Sequence, residues 1–89
     1  MAEVSFTSAL QRHVTARAVV VKGATVRVVL VAALAQQPRG RGYLLDDQGR
    51  LRPHVAVFVD GALVSDRTTL SDPVPPDAEV YVMQALSGG

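Results

Sequence analysis

One stretch decides how this chain can fold. Residues 26–37, Val-Arg-Val-Val-Leu-Val-Ala-Ala-Leu-Ala-Gln-Gln, form the one segment that reads as a helix of several turns, while the other patterned runs read as strands. Its valines favour strand, but its length and its alanine–leucine end favour helix. Thr25 suits an N-cap and Pro38 a stop, and Val26, Leu30, Ala33 and Leu34 recur at helical spacing. We therefore read a helix with one buried face. A chain of 89 residues has room for one core only, so that helix must share it with a single sheet.

The strands follow from alternation and turn chemistry. Residues 3–10 put Val4, Phe6 and Leu10 on one face, as a half-buried strand does. Residues 17–22 are β-branched and closed by Gly23, so the two runs pair as a hairpin. Residues 39–53 read as a loop with a short ordered piece around Tyr43 to Leu45. His54 to Val59 is apolar on both faces, as in a central strand. Asp60-Gly61 marks a tight turn to a short returning strand, Ala62 to Val64. A proline-rich turn over residues 72–77 leads to a last strand, Glu79 to Ala85. The order strand, strand, helix, strand, short strand, strand implies an α+β β-grasp domain, in which a mixed sheet of four to five strands wraps one main helix. Its first and last strands lie side by side and parallel at the centre. Residues 1–85 make that domain, and residues 86–89 a flexible tail, because two glycines at an end bury nothing.

Composition narrows what the domain can do. At 48% hydrophobic and 19% charged the chain is not of the disordered class. With no cysteine it can hold neither a disulfide nor a thiolate metal site, and His13 and His54 alone cannot complete a structural metal site. No nucleophile or orienting acid is placed beside either histidine, so both read as structural. The longest apolar run, Val28 to Ala35, is far short of the ~20 residues that span a bilayer. No basic-then-apolar leader opens the chain, so we expect a cytoplasmic protein with no membrane partner.

The charge is uneven. Residues 1–52 carry eight of the nine basic residues against three acids, and residues 53–89 carry Arg67 against five. That polarity suits a charged protein partner better than nucleic acid. Arg39, Arg41, Arg50 and Arg52 gather around the central loop. They either dock an acidic partner or simply solvate the loop, with Asp46 and Asp47 offsetting half their charge. On the helix, Val28, Val31, Ala32 and Ala35 oppose the buried face, which makes Val28 and Val31 candidates for contact with a partner or a second copy of the chain. Lys22, the sole lysine, reads as part of a solvated turn.

The C-terminal sequence carries the chemistry. Glycine lacks a Cβ, so a Gly-Gly end enters a channel too narrow for side chains, and four extended residues reach roughly 13–14 Å. The group delivered is the Gly89 carboxylate. The Asp60-Gly61 turn, Leu70-Ser71-Asp72-Pro73-Val74, and the run from Asp77 through Glu79-Val80 to Ala85-Leu86-Ser87-Gly88-Gly89 together resemble the MoaD/ThiS family of ubiquitin-like sulfur carriers. The family includes the small subunit of molybdopterin synthase and the thiamine-pathway carrier. The resemblance is strongest over residues 53–89 and implies a non-catalytic co-substrate. A ubiquitin-activating-like adenylyltransferase would adenylate Gly89 with ATP and magnesium, and a persulfide donor would leave a thiocarboxylate. A sulfur-accepting synthase would then use that sulfur. Leu86, Ser87 and Gly88 would thread into the partner, and the carrier itself would bind no metal or nucleotide. Two other readings stand beside it: a ubiquitin-like modifier joined to protein lysines, and a plain β-grasp interaction module whose tail is irrelevant.

Overall fold

A computed structural model describes residues 1–12, 14 and 17–84. Its strands are β1 (Ala2–Phe6), β2 (Ala18–Val21), β3 (Val55–Val59), β4 (Ala62–Leu63) and β5 (Glu79–Gln84). They form one mixed sheet in the order β2-β1-β5-β3-β4. β1 and β5 are parallel, with Val4 beside Val80, and every other pairing is antiparallel. Two helices, α1 (Val26–Ala33) and α2 (Pro38–Leu44), lie between β2 and β3 in the chain. This is the β-grasp architecture expected from the order of the elements.

The helix assignment holds, with earlier termination. The Thr25 hydroxyl accepts the Val28 N–H at 3.4 Å from an extended backbone, satisfying a donor the helix leaves free. α1 ends at Ala33 rather than Gln37, closing through Leu34 N–H to the Leu30 carbonyl. Its buried residues are Val26, Val29, Leu30 and Ala33, and Leu34 joins them just beyond its end. They share one core with Val4, Phe6, Val55, Val57, Val80 and Val82. Each such valine or leucine contributes roughly 1.5–3 kcal/mol when removed from water.

Three expectations need correction. The first strand stops at Phe6, because Ser8–Arg12 winds into a 3₁₀ turn in which the Leu10 N–H reaches the Thr7 carbonyl. Leu10 is buried all the same, but from a turn: spacing alone cannot separate a strand position from one helical turn after Phe6. The stretch after Pro38 is not a loop until Tyr43; Pro38 opens α2 instead of merely stopping α1. Proline at the first helical position lacks only an N–H that would be unpaired anyway. Gly40 and Gly42 weaken that helix locally, and the burial of Gly40, Leu44 and Leu45 outweighs them. Third, β3 is not covered on both faces. Val55 and Val57 are fully buried, while Ala56 and Phe58 on the other face are half-buried, and the strand at the centre is β5.

The Asp60-Gly61 turn forms as expected. Both residues have positive φ, 49° and 86°, the left-handed pair that matches strand twist. Asp60 also accepts the Glu79 N–H on its carboxylate at 2.8 Å, which fastens the turn to the start of β5.

Candidate functional site

The site begins where β5 ends. Gln84, the last described residue, pairs with Val55 in the ladder. Its side-chain oxygen accepts the Tyr43 hydroxyl at 2.9 Å. The Tyr43 ring in turn meets the His54 ring edge-on, with centroids 4.6 Å apart. Helix α2, the entry to β3 and the end of β5 are thus tied together at the root of residues 85–89. The His54 ring is part of this tie, and its Nε2 is buried with no hydrogen-bond partner among the described residues. Leu86, Ser87, Gly88 and Gly89, together with Ala85 and His13, lie outside the described residues.

The open face of the sheet leads to the same root. The register sets Ser5, Tyr81, Phe58 and Leu63 in a row across four strands, with Met83 beside Ala56. Tyr81 is 45% exposed and Leu63 60%. A shallow depression of about 500 Å³ lies over Ser5, Tyr81, Phe58 and Met83, bordered by Glu3 and Glu79. An apolar row with an acidic border suits docking against another protein. Sequence reasoning missed it by treating β3 as buried on both faces. The signal was in β5, where Glu79, Tyr81 and Met83 alternate with Val80 and Val82.

The arginines do not make one free cluster. Arg39 and Arg41 project from α2 and are exposed. Arg50 pairs with Asp46 at 2.7 Å, and Arg52 donates to the Gly42 carbonyl at 2.8 Å. The Arg50 backbone N–H and then its guanidinium hold Asp46 below the usual carboxylate range. Val28 and Val31 are exposed on α1, at 50% and 38%.

Part of the acidic half is also spoken for. Asp66 accepts from the backbone and hydroxyls of Thr69 and Ser71 and from the Thr68 N–H. The Ser71 and Thr69 hydroxyls, then their backbone N–H groups, pull its carboxyl far below the ordinary value. Asp72 is lowered by the Ser65 and Asp66 N–H groups, at 3.1 and 2.9 Å. These carboxylates shape the loop that carries Val64 and Leu70 into the core. Among the described residues no group of three or more His, Cys, Asp or Glu could hold a metal ion, and no helix is long and apolar enough to cross a membrane.

Sequence comparison finds no matching family model and no matching curated relative. Solved structures match over the whole chain. One is the complex of BexX and CysO from Amycolatopsis orientalis, 23% identical, covering 100% of both chains at a TM-score of 0.83. A second is SAMP1 from Haloferax volcanii, 25% identical, covering 99% of this chain and 98% of that one at 0.79. A third is the small archaeal modifier protein 1 from Methanosarcina acetivorans, 15% identical, covering 99% and 95% at 0.82. The resemblance to the MoaD/ThiS ubiquitin-like proteins, drawn from residues 53–89, therefore extends to the entire fold.

Proposed function

We propose that this protein is a sulfur carrier that works through the carboxylate of Gly89. What supports the reading is a whole-length likeness to CysO, solved in complex with BexX, joined to the Gly88-Gly89 pair that follows the last strand in the sequence. In this reading residues 1–85 are the body and residues 86–89 the reach. A carboxylate is a poor electrophile, so a partner adenylyltransferase, using ATP and magnesium, activates it. A Gly89 oxygen attacks the α-phosphorus and pyrophosphate leaves. The terminal sulfur of a persulfide displaces AMP to give an acyl disulfide. A thiol then attacks the donor's own inner sulfur, forming a disulfide with it and leaving the terminal sulfur on Gly89 as the thiocarboxylate. A second enzyme accepts that sulfur into a cofactor, in the manner of molybdopterin or thiamine synthesis, or into another metabolite. The carrier contributes no acid, base or nucleophile besides its own end, so it is a co-substrate or a non-catalytic subunit. We assign it to the cytoplasm, where ATP is drawn upon.

The body's task is docking. The row through Tyr81, Phe58 and Leu63 supplies the apolar contact, and the Tyr43–Gln84 bond fixes the point from which the last residues depart. The test uses ATP–pyrophosphate exchange with the activating enzyme from the same host. The wild type supports exchange; a variant lacking Gly89, or extended by one residue, abolishes it while its circular dichroism is unchanged. Exchange by the extended variant overturns the reading. Intact mass of the protein from its native host shows one terminal oxygen replaced by sulfur.

A second reading is favoured by the modifier named among the structural matches: the same activated carboxylate joined to a protein lysine. It is told apart by heavier, amide-linked conjugates in cell extracts.

A further inference from the structure

We propose that the outer edge of β2, with the adjoining side of α1, binds an extended peptide segment of a partner whose apolar core is flanked by acidic residues. The phase of the β1–β2 ladder sets which backbone groups are available. The Phe6 N–H donates to the Arg17 carbonyl, and Val4 and Ala2 lie opposite Val19 and Val21. In an antiparallel ladder hydrogen-bonded pairs alternate with non-bonded ones. The N–H and C=O groups of Ala18 and Val20 therefore point away from β1, and β2 ends the strand order, with no described strand beyond it. An added strand finds up to four backbone bonds there, the pattern of strand addition at a sheet edge.

The surroundings fix what that strand carries. Gly23, just past β2, runs so close to α1 that a Cβ would meet Val28 and Val29 at 2.9 and 2.8 Å. Val28, and Val31 one turn on, thus stand beside this edge, half-exposed, while Val20 is 57% exposed on the opposite face. Alternate side chains of an incoming strand meet Val28 and Val31 on one side and Val20 on the other, which selects apolar, β-branched residues. At the two ends of β2 stand Arg17 and Lys22, both exposed and neither paired with a described carboxylate. Glu3 lies one strand in from the edge. Like charge at both ends opposes pairing of β2 with a second copy of itself, a known guard on edge strands. The same charge attracts acidic flanks. The site draws on no residue of 85–89, so it stands or falls apart from the carrier reading.

The experiment titrates the protein with a synthetic peptide of four β-branched residues between two Asp and two Glu, and with a lysine-flanked control. Amide signals of Ala18 to Lys22, Val28 and Val31 shift, and the Ala18 and Val20 amide protons exchange more slowly. Binding weakens as salt rises, and the doubly reversed Arg17→Glu, Lys22→Glu protein binds at least about tenfold more weakly. Val20→Pro removes an outward N–H without touching the β1 ladder, and it also weakens binding. Should that variant fail to fold, the charge-reversed protein decides. Equal binding by the lysine-flanked peptide overturns the proposal. So do shifts confined to Tyr81 and Met83, or an absence of saturation at millimolar peptide.

Discussion

The two faces of the sheet share strands and differ in everything else. Toward α1, Val4, Val57 and Val82 are wholly excluded from water, and Val80 nearly so. One residue along the same strands, the opposite face shows Tyr81, Phe58 and Ser5 with only solvent above them among the described residues. Neighbours in sequence therefore carry opposite burdens. The covered face holds the molecule together, and the open face is free to be shaped by what it meets.

Substitutions test that division. Val57→Asp buries an unpaired charge at the middle of the covered face and costs more than about 4 kcal/mol, enough to unfold so small a domain. Loss of the cooperative thermal transition reads it out; a Val57→Asp protein that still melts cooperatively breaks the comparison. An intermediate effect comes from the loop that delivers Val64 and Leu70 to the covered side. Asp66 and Asp72 in that loop, and Asp46 in the turn after α2, all have lowered carboxyl pKa values in the folded state. Lowered groups stabilise the fold fully above the ordinary carboxylate value of about 4, and that contribution drains away as pH falls below it. Urea midpoints measured down the acid range should fall, and Asp66→Asn should flatten the fall. The smallest effect is expected on the open face. Tyr81→Thr should cost no more than about 1 kcal/mol, since threonine keeps the strand propensity and only the cross-strand contact with Phe58 is lost. A large loss of stability there would mean that the open face contributes to the core after all.

The sequence displayed its fold wherever local chemistry and burial agree. Thr25 caps α1, Asp60-Gly61 has the left-handed geometry its hairpin needs, and β5 alternates cleanly. Local chemistry misled where tertiary packing overrides it. An Arg-Gly-Arg-Gly stretch is a poor helix by propensity, yet α2 exists because Leu44 and Leu45 must reach the core and Tyr43 must reach Gln84. The exposed side of β3 was hidden for a related reason. Ala56 and Phe58 are apolar enough to suit either burial or contact, and only the three-dimensional arrangement shows that no layer of the described residues covers them. The arginine group was legible as charge but not as pairing, since Arg52 spends its guanidinium on a carbonyl ten residues back.

The last of the described strands along the chain, β5, is the one in the middle. Before residues 79–84 arrive, the β1–β2 pair and the β3–β4 pair have no ladder joining them, and the contacts that close the sheet span most of the chain. Such long-range closure is slow, and it leaves nothing half-built worth recognising. A chain still lacking residues 79–84 therefore lacks both faces at once: the covered core around Val80 and Val82 and the open row through Tyr81 are completed by the same strand.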